Sequence, residues 1–146
     1  IINVQGDEPF LKKNQIEKII EVYKSDIEYN IDVVSLMIKI DEATAKKNSV
    51  VKVSTDKNQF AIKFTREFDT ENKNYFKHVG VYAFRKSALK RFSLIGQTNN
   101  EKNEKIEAIR LVENNFKFKM IQVYDESISI DTPSDLENAN KYFLND

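Results

Sequence analysis

The sequence predicts an α/β protein with one open sheet that is partly parallel and carries an antiparallel, hairpin-rich insertion. Strand-like apolar segments alternate with amphipathic helical segments at both ends of the chain, as in sheets whose strands are joined by helices. In the middle, two segments of period-two alternation flank the polar turn 55–58, which is a hairpin pattern. The 146 residues suffice for one domain with a hydrophobic core.

The first half of the chain begins with a β-branched apolar strand over residues 1–4, followed by a loop rich in breakers and acids. Asn14 is predicted to cap a helix whose apolar residues recur at helical spacing; they are Ile16, Ile19, Ile20 and Tyr23. Residues 31–40 are too densely apolar for a strand with one wet face. A short helix over 41–47 and the hairpin strands 50–54 and 59–64 follow.

In the second half, strands are predicted over 77–84, 118–124 and 128–130. Ser87 is expected to cap a helix that ends near residue 94, and a polar linker over 96–103 leads to a helix over 104–114. Thr132 and Pro133 have the residue types of an N-cap and a first helical position, so they open the last helix.

Composition excludes several classes of function. Lys plus Arg and Asp plus Glu both number 23, so no net field attracts nucleic acid or an anionic membrane. The chain has no cysteine, which excludes disulfides and thiolate chemistry and suits a reducing compartment. No apolar run approaches the roughly 18 residues that span a bilayer. Because the chain opens inside a strand without Met, we expect it to be a fragment.

Two acidic residues follow predicted strands, where ligands of open α/β sheets bind. Asp7 comes three residues after the strand 1–4, and Asp131 comes directly after 128–130. One or two carboxylates, together with phosphate oxygens and water, are what Mg²⁺ requires. The alternative is structural, because Asp in Gly-Asp-Glu-Pro often makes a turn and Asp before Thr-Pro often caps one.

His78, Gly80 and Tyr82 share one face of a predicted strand, and the glycine leaves a notch where a ligand could approach. The alternative is a half-buried histidine bonded to a backbone carbonyl. One histidine and no cysteine disfavour zinc and Ser–His chemistry, and three glycines form no phosphate loop. Four charged residues recur at helical spacing and could simply be a solvated face; they are Glu104, Glu107, Arg110 and Glu113.

Five segments together carry a more specific signal: 2–9 (INVQGDEP), 51–53 (VKV), 77–85 (KHVGVYAFR), 104–110 (EKIEAIR) and 130–137 (IDTPSDLE). In this order they resemble CMP-Kdo synthetases, the 3-deoxy-manno-octulosonate cytidylyltransferases, over nearly the whole chain. The resemblance implies a partial Rossmann-like nucleotidyltransferase sheet, corresponding to the C-terminal part of a larger domain. The N-terminal segment that grips CTP would then be absent, and the 146 residues alone would be inactive.

The resemblance implies an enzyme that couples CTP to the acid sugar Kdo, giving CMP-Kdo and pyrophosphate for lipopolysaccharide biosynthesis. It also implies Mg²⁺ as cofactor and a cytoplasmic homodimer. Asp7 and Asp131 would hold the metal. The sugar acid would be held by Gln5, Arg66, His78, Tyr82 and Glu107.

Three departures from the family pattern leave alternatives open. Besides the missing CTP-gripping segment, the loop 67–74 is shorter and lacks an Ile-Pro step, and Ala108 stands where many members have Gln. The substrate could therefore be another acid sugar, of the amino-Kdo or sialic type. A further alternative is a non-catalytic relative that acts as a binding module, although a pure scaffold has no need for this polar set.

Overall fold

The computed structural model describes residues 1–71, 74–124, 129–130 and 132–143, without the side chains of residues 142 and 143. The strands are β1 (Ile2–Val4), β2 (Val33–Ile40), β3 (Lys52–Thr55), β4 (Ala61–Thr65), β5 (Tyr75–Phe84) and β6 (Phe118–Val123). The helices are α1 (Lys13–Ser25), α2 (Glu42–Ala45), α3 (Lys86–Ser93), α4 (Asn99–Glu104), α5 (Ala108–Glu113) and α6 (Pro133–Phe143).

The six strands form one sheet in the order β4-β3-β5-β2-β6, and β1 also pairs with β5. The pair β2–β6 is parallel, whereas the pairs formed by β5 with β1, β2 and β3 and the β3–β4 hairpin are antiparallel. The predicted mixed α/β sheet with an antiparallel hairpin is therefore confirmed, and antiparallel pairing extends well beyond the hairpin itself.

Both faces of the sheet are buried, which explains the dense apolar sequence of β2. Val34 and Leu36 pack on the face covered by Ile19 of α1. Val33 and Met37 point to the opposite face, because side chains alternate along a strand. That second face is covered by α3, α5 and residues near them; its buried aliphatic contacts are Ala88, Ile106, Ala108, Ile109 and Leu111.

The predicted caps at Asn14 and Ser87 are wrong by two residues each. Helix α1 has Lys12 at its N-cap, and the Gln15 side chain reaches back to accept from the Lys12 amide at 2.9 Å. Helix α3 has Arg85 at its N-cap. The Arg85 guanidinium is tied to Asp26 at 2.7 Å, so tertiary contacts hold the residue that precedes the helix.

The predicted linker 96–103 and the single helix 104–114 are also wrong. Thr98 and Glu101 form a capping box that starts α4 inside the supposed linker. Lys105 then adopts a left-handed conformation with φ of 55°, which ends α4 before α5 begins. Glu104 consequently ends α4, whereas Glu107 precedes α5. The charged residues 104–113 therefore do not lie along one face of a single helix.

The predicted strand 128–130 lies partly outside the described residues. Ser129 and Ile130, which are described, have no strand assignment, and the Ile130 amide donates to the carbonyl of Asp7 at 2.9 Å. Within the described parts of the chain, no helix combines the length and apolar character required to cross a membrane.

Candidate active site

The candidate site lies where two strands share one edge of β5. β2 occupies one edge of β5 along nearly its whole length. On the other edge, β3 pairs near Lys77 and β1 pairs from Val81 to Ala83. Between those two contacts no described strand pairs with β5; the His78 amide donates to the Val51 carbonyl and the Gly80 carbonyl accepts from the Gln5 amide. The ends of β1 and β3 thus leave a space between them beside His78.

A polar cavity of about 230 Å³ fills this gap. Six of the seven side chains predicted from the sequence line it: Gln5, Asp7, Arg66, His78, Tyr82 and Glu107. They come from positions up to 102 residues apart in the sequence: Gln5 and Glu107, at the two extremes, are hydrogen-bonded to each other. The seventh, Asp131, lies outside the described residues.

The notch expected at Gly80 is occupied by the protein itself. The Gln5 amide nitrogen of the backbone donates to the Gly80 carbonyl at 3.0 Å, and the Gly80 amide donates to Glu8 Oε1 at 3.0 Å. A methyl group added at residue 80 would come within 2.5 Å of Gln5 Oε1 and 3.2 Å of Glu8 Cγ. Gly80 is therefore required for the loop after β1 to lie against β5, not for direct ligand approach.

Glu107 connects three elements at the cavity wall. Its carboxylate accepts from Gln5 Nε2 at 2.7 Å and from the Tyr82 hydroxyl. Burial of Tyr82, followed by the negative charge of Glu107, raises the pKa of the phenol well above its ordinary value of 10.0. Tyr82 thus remains a neutral donor, and the Gln5–Glu107–Tyr82 network fixes the end of β1 to β5 and to the start of α5.

His78 is a buried, neutral ring. Burial, with a smaller contribution from the charge of Lys77, lowers its pKa from 6.5 to about 3. Its Nε2 lies 2.9 Å from Ser35 Oγ, and the rings of Phe64 and Tyr82 contact it edge-on. The alternative of a buried, satisfied histidine is correct in part, but the partner is a hydroxyl rather than a carbonyl and the ring still lines the cavity.

Arg66 is less available than its sequence context predicts. Its Nε donates to the Glu104 carbonyl at 3.1 Å, and one terminal nitrogen donates to the Ser49 carbonyl at 2.7 Å. The backbone amide of Arg66 also donates to the Glu104 carboxylate at 2.9 Å. The guanidinium therefore anchors the 48–49 and 104 segments, and only its second terminal nitrogen has no hydrogen bond within the described part of the chain.

Asp7 has the properties expected of a cation ligand. Its Oδ1 is buried and has no hydrogen-bond partner among the described residues, which is costly for a carboxylate unless a cation or donor is bound. The amide of Ile130, the residue before Asp131, donates to the Asp7 carbonyl. Within the described ranges no group of three or more metal-binding side chains occurs, and Asp131, the other predicted metal ligand, lies outside those ranges.

Sequence reasoning missed five charged or polar residues at the cavity: Glu8, Ser49, Lys77, Lys105 and Ser129. Glu8 is 4% exposed despite its place in a loop, and Lys77 Nζ donates to Ser129 Oγ at 2.8 Å. Alternation along β5 argued against Lys77, because it belongs to the face opposite its neighbour His78. Lys105 is the left-handed residue between α4 and α5. No local sequence pattern predicts that the helix ends there, so its place at the cavity was not predicted.

Charges of both signs meet in this cavity. Asp7, Glu8 and Glu107 supply carboxylates, and Arg66, Lys77 and Lys105 supply cations. Glu8 and Glu107 already accept hydrogen bonds, so Asp7 is the carboxylate with an unused buried oxygen. Such a set can bind a polyhydroxylated anion, and a divalent cation at Asp7, without any covalent nucleophile.

Three similar proteins of known sequence share one name. Proteins named 3-deoxy-manno-octulosonate cytidylyltransferase are 43% identical in Christiangramia forsetii, over 97% of this chain and 60% of the relative, and 40% identical in Flavobacterium johnsoniae, over 95% and 60%. In Rickettsia bellii the identity is 38%, over 98% of this chain and 58% of the relative. The chain thus spans about three-fifths of the length of these curated relatives.

Solved structures show the same likeness. The structure of CMP:2-keto-3-deoxy-manno-octonic acid synthetase complexed with CTP superposes with a TM-score of 0.89 at 30% identity, covering 99% of this chain and 61% of that one. A putative glucose-1-phosphate thymidylyltransferase from Bacillus anthracis has a TM-score of 0.64 at 14% identity, which shows a shared fold only. Because the cytidylyltransferase family model matches residues 1–128, the chain belongs to the cytidylyltransferase family.

Proposed function

We propose that the protein containing this chain is a magnesium-dependent CMP-Kdo synthetase, which couples CTP to Kdo and releases pyrophosphate. The observation that carries the proposal is that six side chains distant in sequence, each expected to bind sugar or metal, line one cavity. The names of the relatives at 38–43% identity support the choice of Kdo over other acid sugars. The related structure complexed with CTP supports the choice of nucleotide.

The reaction joins two anions, because the anomeric hydroxyl of an acid sugar attacks the α-phosphate of CTP. Positioning and charge neutralisation therefore dominate catalysis. In this chain, Gln5, Tyr82 and Glu107 form a preorganised network whose free donor and acceptor sites suit sugar hydroxyls. The cations Arg66, Lys77 and Lys105 offset the charge of the sugar carboxylate.

Asp7 is the described residue that would hold Mg²⁺, and Asp131 is the proposed second ligand. A bound Mg²⁺ would supply charge neutralisation at the phosphate and acidify a coordinated hydroxyl. The buried, unpartnered Oδ1 of Asp7 is the structural support for this role. No side chain is required as a covalent nucleophile, since the sugar hydroxyl itself attacks.

The test is pyrophosphate release by the complete protein, with CTP and Mg²⁺, on Kdo, amino-Kdo and a sialic acid. We expect Kdo to give the highest kcat/KM. Asp7→Asn should lower kcat/KM by about 100-fold or more, because a ligand to the neutralising cation is lost. Glu137→Gln is the matched control, since Glu137 is an exposed carboxylate on α6 and is not among the residues that line the cavity.

Specific outcomes would contradict the proposal. Higher kcat/KM on a sialic acid would change the substrate, and binding of Kdo without turnover would favour a binding module. An Asp7→Asn variant with normal magnesium dependence would remove the metal assignment. The homodimeric, cytoplasmic state implied by the family resemblance is part of the proposal, and light scattering of the complete protein tests the dimer.

A further inference from the structure

Ser35 is a fully buried polar residue on the apolar strand β2. The antiparallel register between β2 and β5 shifts at this point: Val34 pairs with Ala83, but Leu36 pairs with Val79. Ser35 is therefore the one β2 residue opposite the three residues 80–82 of β5, beside the cavity. Apart from Lys39 near its end, β2 otherwise consists of Val, Leu, Met and Ile. Its single hydroxyl lies at this irregularity, where a buried polar group must find partners.

The Ser35 hydroxyl has two neighbours, which cannot both receive its proton. Its Oγ lies 2.9 Å from His78 Nε2 and 3.2 Å from the Val79 carbonyl oxygen. A serine has one O–H and accepts through its lone pairs, whereas a carbonyl only accepts. Donation to Val79 leaves Oγ free to accept from Nε2–H. Donation to Nε2 would instead leave two oxygen lone pairs facing each other in a buried site, which is unfavourable.

We propose that Ser35 is a positioning residue for His78, holding the imidazole as the Nε2–H tautomer so that Nδ1 offers only a lone pair to the cavity ligand. The ring lines the cavity, and its Nδ1 has no hydrogen-bond partner among the described residues. Burial keeps the ring neutral, as the lowered pKa of His78 indicates. The identity of a ring's tautomer is commonly set by the bond at its other nitrogen.

This arrangement defines what His78 recognises. A bare Nδ1 accepts a hydrogen bond from a hydroxyl and repels a carboxylate or phosphate oxygen. His78 thus selects a hydroxyl of the ligand, while the anionic group of the ligand goes to the cations of the cavity. That statement about a sugar hydroxyl rests on the proposed function, whereas the tautomer itself is a property of the free protein.

The tautomer is measured first, without ligand. Two-bond ¹H–¹⁵N correlation spectra of the ¹⁵N-labelled complete protein at neutral pH distinguish a protonated from a bare imidazole nitrogen, and His78→Gln identifies the signals. We expect Nε2 protonated and Nδ1 bare. The opposite pattern, or an even mixture of the two tautomers, overturns the proposal whatever the substrate is.

The effect of Ser35 on Kdo binding is tested with Ser35→Ala, and Ser35→Thr is the conservative control. Loss of a buried hydrogen-bond partner predicts a roughly ten-fold rise in KM for Kdo with Ser35→Ala, with the KM for CTP unchanged and the spectrum shifted toward mixed tautomers. Ser35→Thr keeps the hydroxyl and should retain the Nε2–H pattern. If Ser35→Ala leaves both the spectrum and the KM for Kdo unchanged, Ser35 has no positioning role.

The outcomes separate this inference from the proposed function. A wild-type protein that turns over no acid sugar refutes the proposed function, and the spectrum of the free protein still decides the tautomer. If Ser35→Ala does not fold, the wild-type and Ser35→Thr spectra decide it. Addition of Kdo to the wild type should shift the Nδ1 signal upfield as it accepts a hydrogen bond; an unmoved signal under saturating Kdo contradicts the hydroxyl contact.

Discussion

The substitution Gly80→Ala tests the contact between β5 and the loop that carries Gln5 and Asp7. The new methyl group would lie 2.5 Å from Gln5 Oε1 and 3.2 Å from Glu8 Cγ. No real Cβ contact tolerates the first distance, so the Gln5 side chain has to move. It is flexible, but its Nε2 donates to Glu107 at 2.7 Å, and moving it breaks that bond.

The expected cost follows from these contacts. A hydrogen bond to a charged group contributes about 1.5–3 kcal/mol, and the Gln5–Glu107 pair is only partly buried, which places its loss near the lower end. The Glu8 contact requires a shift of a few tenths of an ångström against a buried side chain, and such overpacking costs about 1 kcal/mol or more. Replacing glycine by alanine also stiffens the unfolded chain, which offsets up to about 1 kcal/mol of this cost. We therefore expect Gly80→Ala to lower the free energy of unfolding by about 2 kcal/mol.

The assay is equilibrium unfolding in urea, with Gly96→Ala as matched control. Nothing lies within 4 Å of a Cβ at Gly96, and no glycine has positive φ. Gly96→Ala should thus equal or exceed the wild-type stability by up to about 1 kcal/mol, through the unfolded chain. If the two variants are equally stable, the close approach at Gly80 is not tight and the account of the notch is wrong.

Two further predictions concern buried ionisable side chains. Glu101 is 3% exposed and pairs with Arg110, so Glu101→Ala should lower the free energy of unfolding by about 3 kcal/mol. The control Glu17→Ala, which breaks the exposed Lys13–Glu17 pair, should cost less than about 1 kcal/mol in the same urea titration. Equal effects would contradict the role of burial. The pKa of His78 is lowered from 6.5 to about 3, so below pH 6.5 the unfolded chain binds a proton that the folded chain does not. As the pH is lowered from 6.5 towards 3, the stability of the wild type relative to His78→Gln should fall by on the order of 1.4 kcal/mol for each unit of pH decrease. A pH-independent difference would show that the folded ring titrates normally.

Local pattern predicted much of the fold because neighbouring residues decide it. The period-two alternation around 55–58 predicted the β3–β4 hairpin, and Thr132-Pro133 predicted the start of α6. The errors came where distant contacts override local preference. Arg85 starts α3 because Asp26 holds its guanidinium, and the left-handed Lys105 splits a segment that is helical by composition.

The candidate site shows the same division. The family motifs identified Gln5, Asp7, Arg66, His78, Tyr82 and Glu107, all of which line the cavity. Neither motif nor spacing indicated that Glu8 is buried on the Gly80 amide, that Arg66 spends most of its donors on backbone carbonyls, or that Ser35 contacts His78. Those facts depend on the orientation of each side chain toward partners far away in sequence.

By itself, the amino-acid sequence determined the mixed α/β class, the family resemblance and most of the polar residues of the site, since residue type and local spacing record them directly. Only the tertiary structure decided where the cavity lies: in the gap that β1 and β3 leave along one edge of β5. It also decided which oxygen of Asp7 lacks a partner and which nitrogen of His78 is already bonded. Hydrogen-bond satisfaction is a property of atoms brought together by folding, so no stretch of sequence contains it.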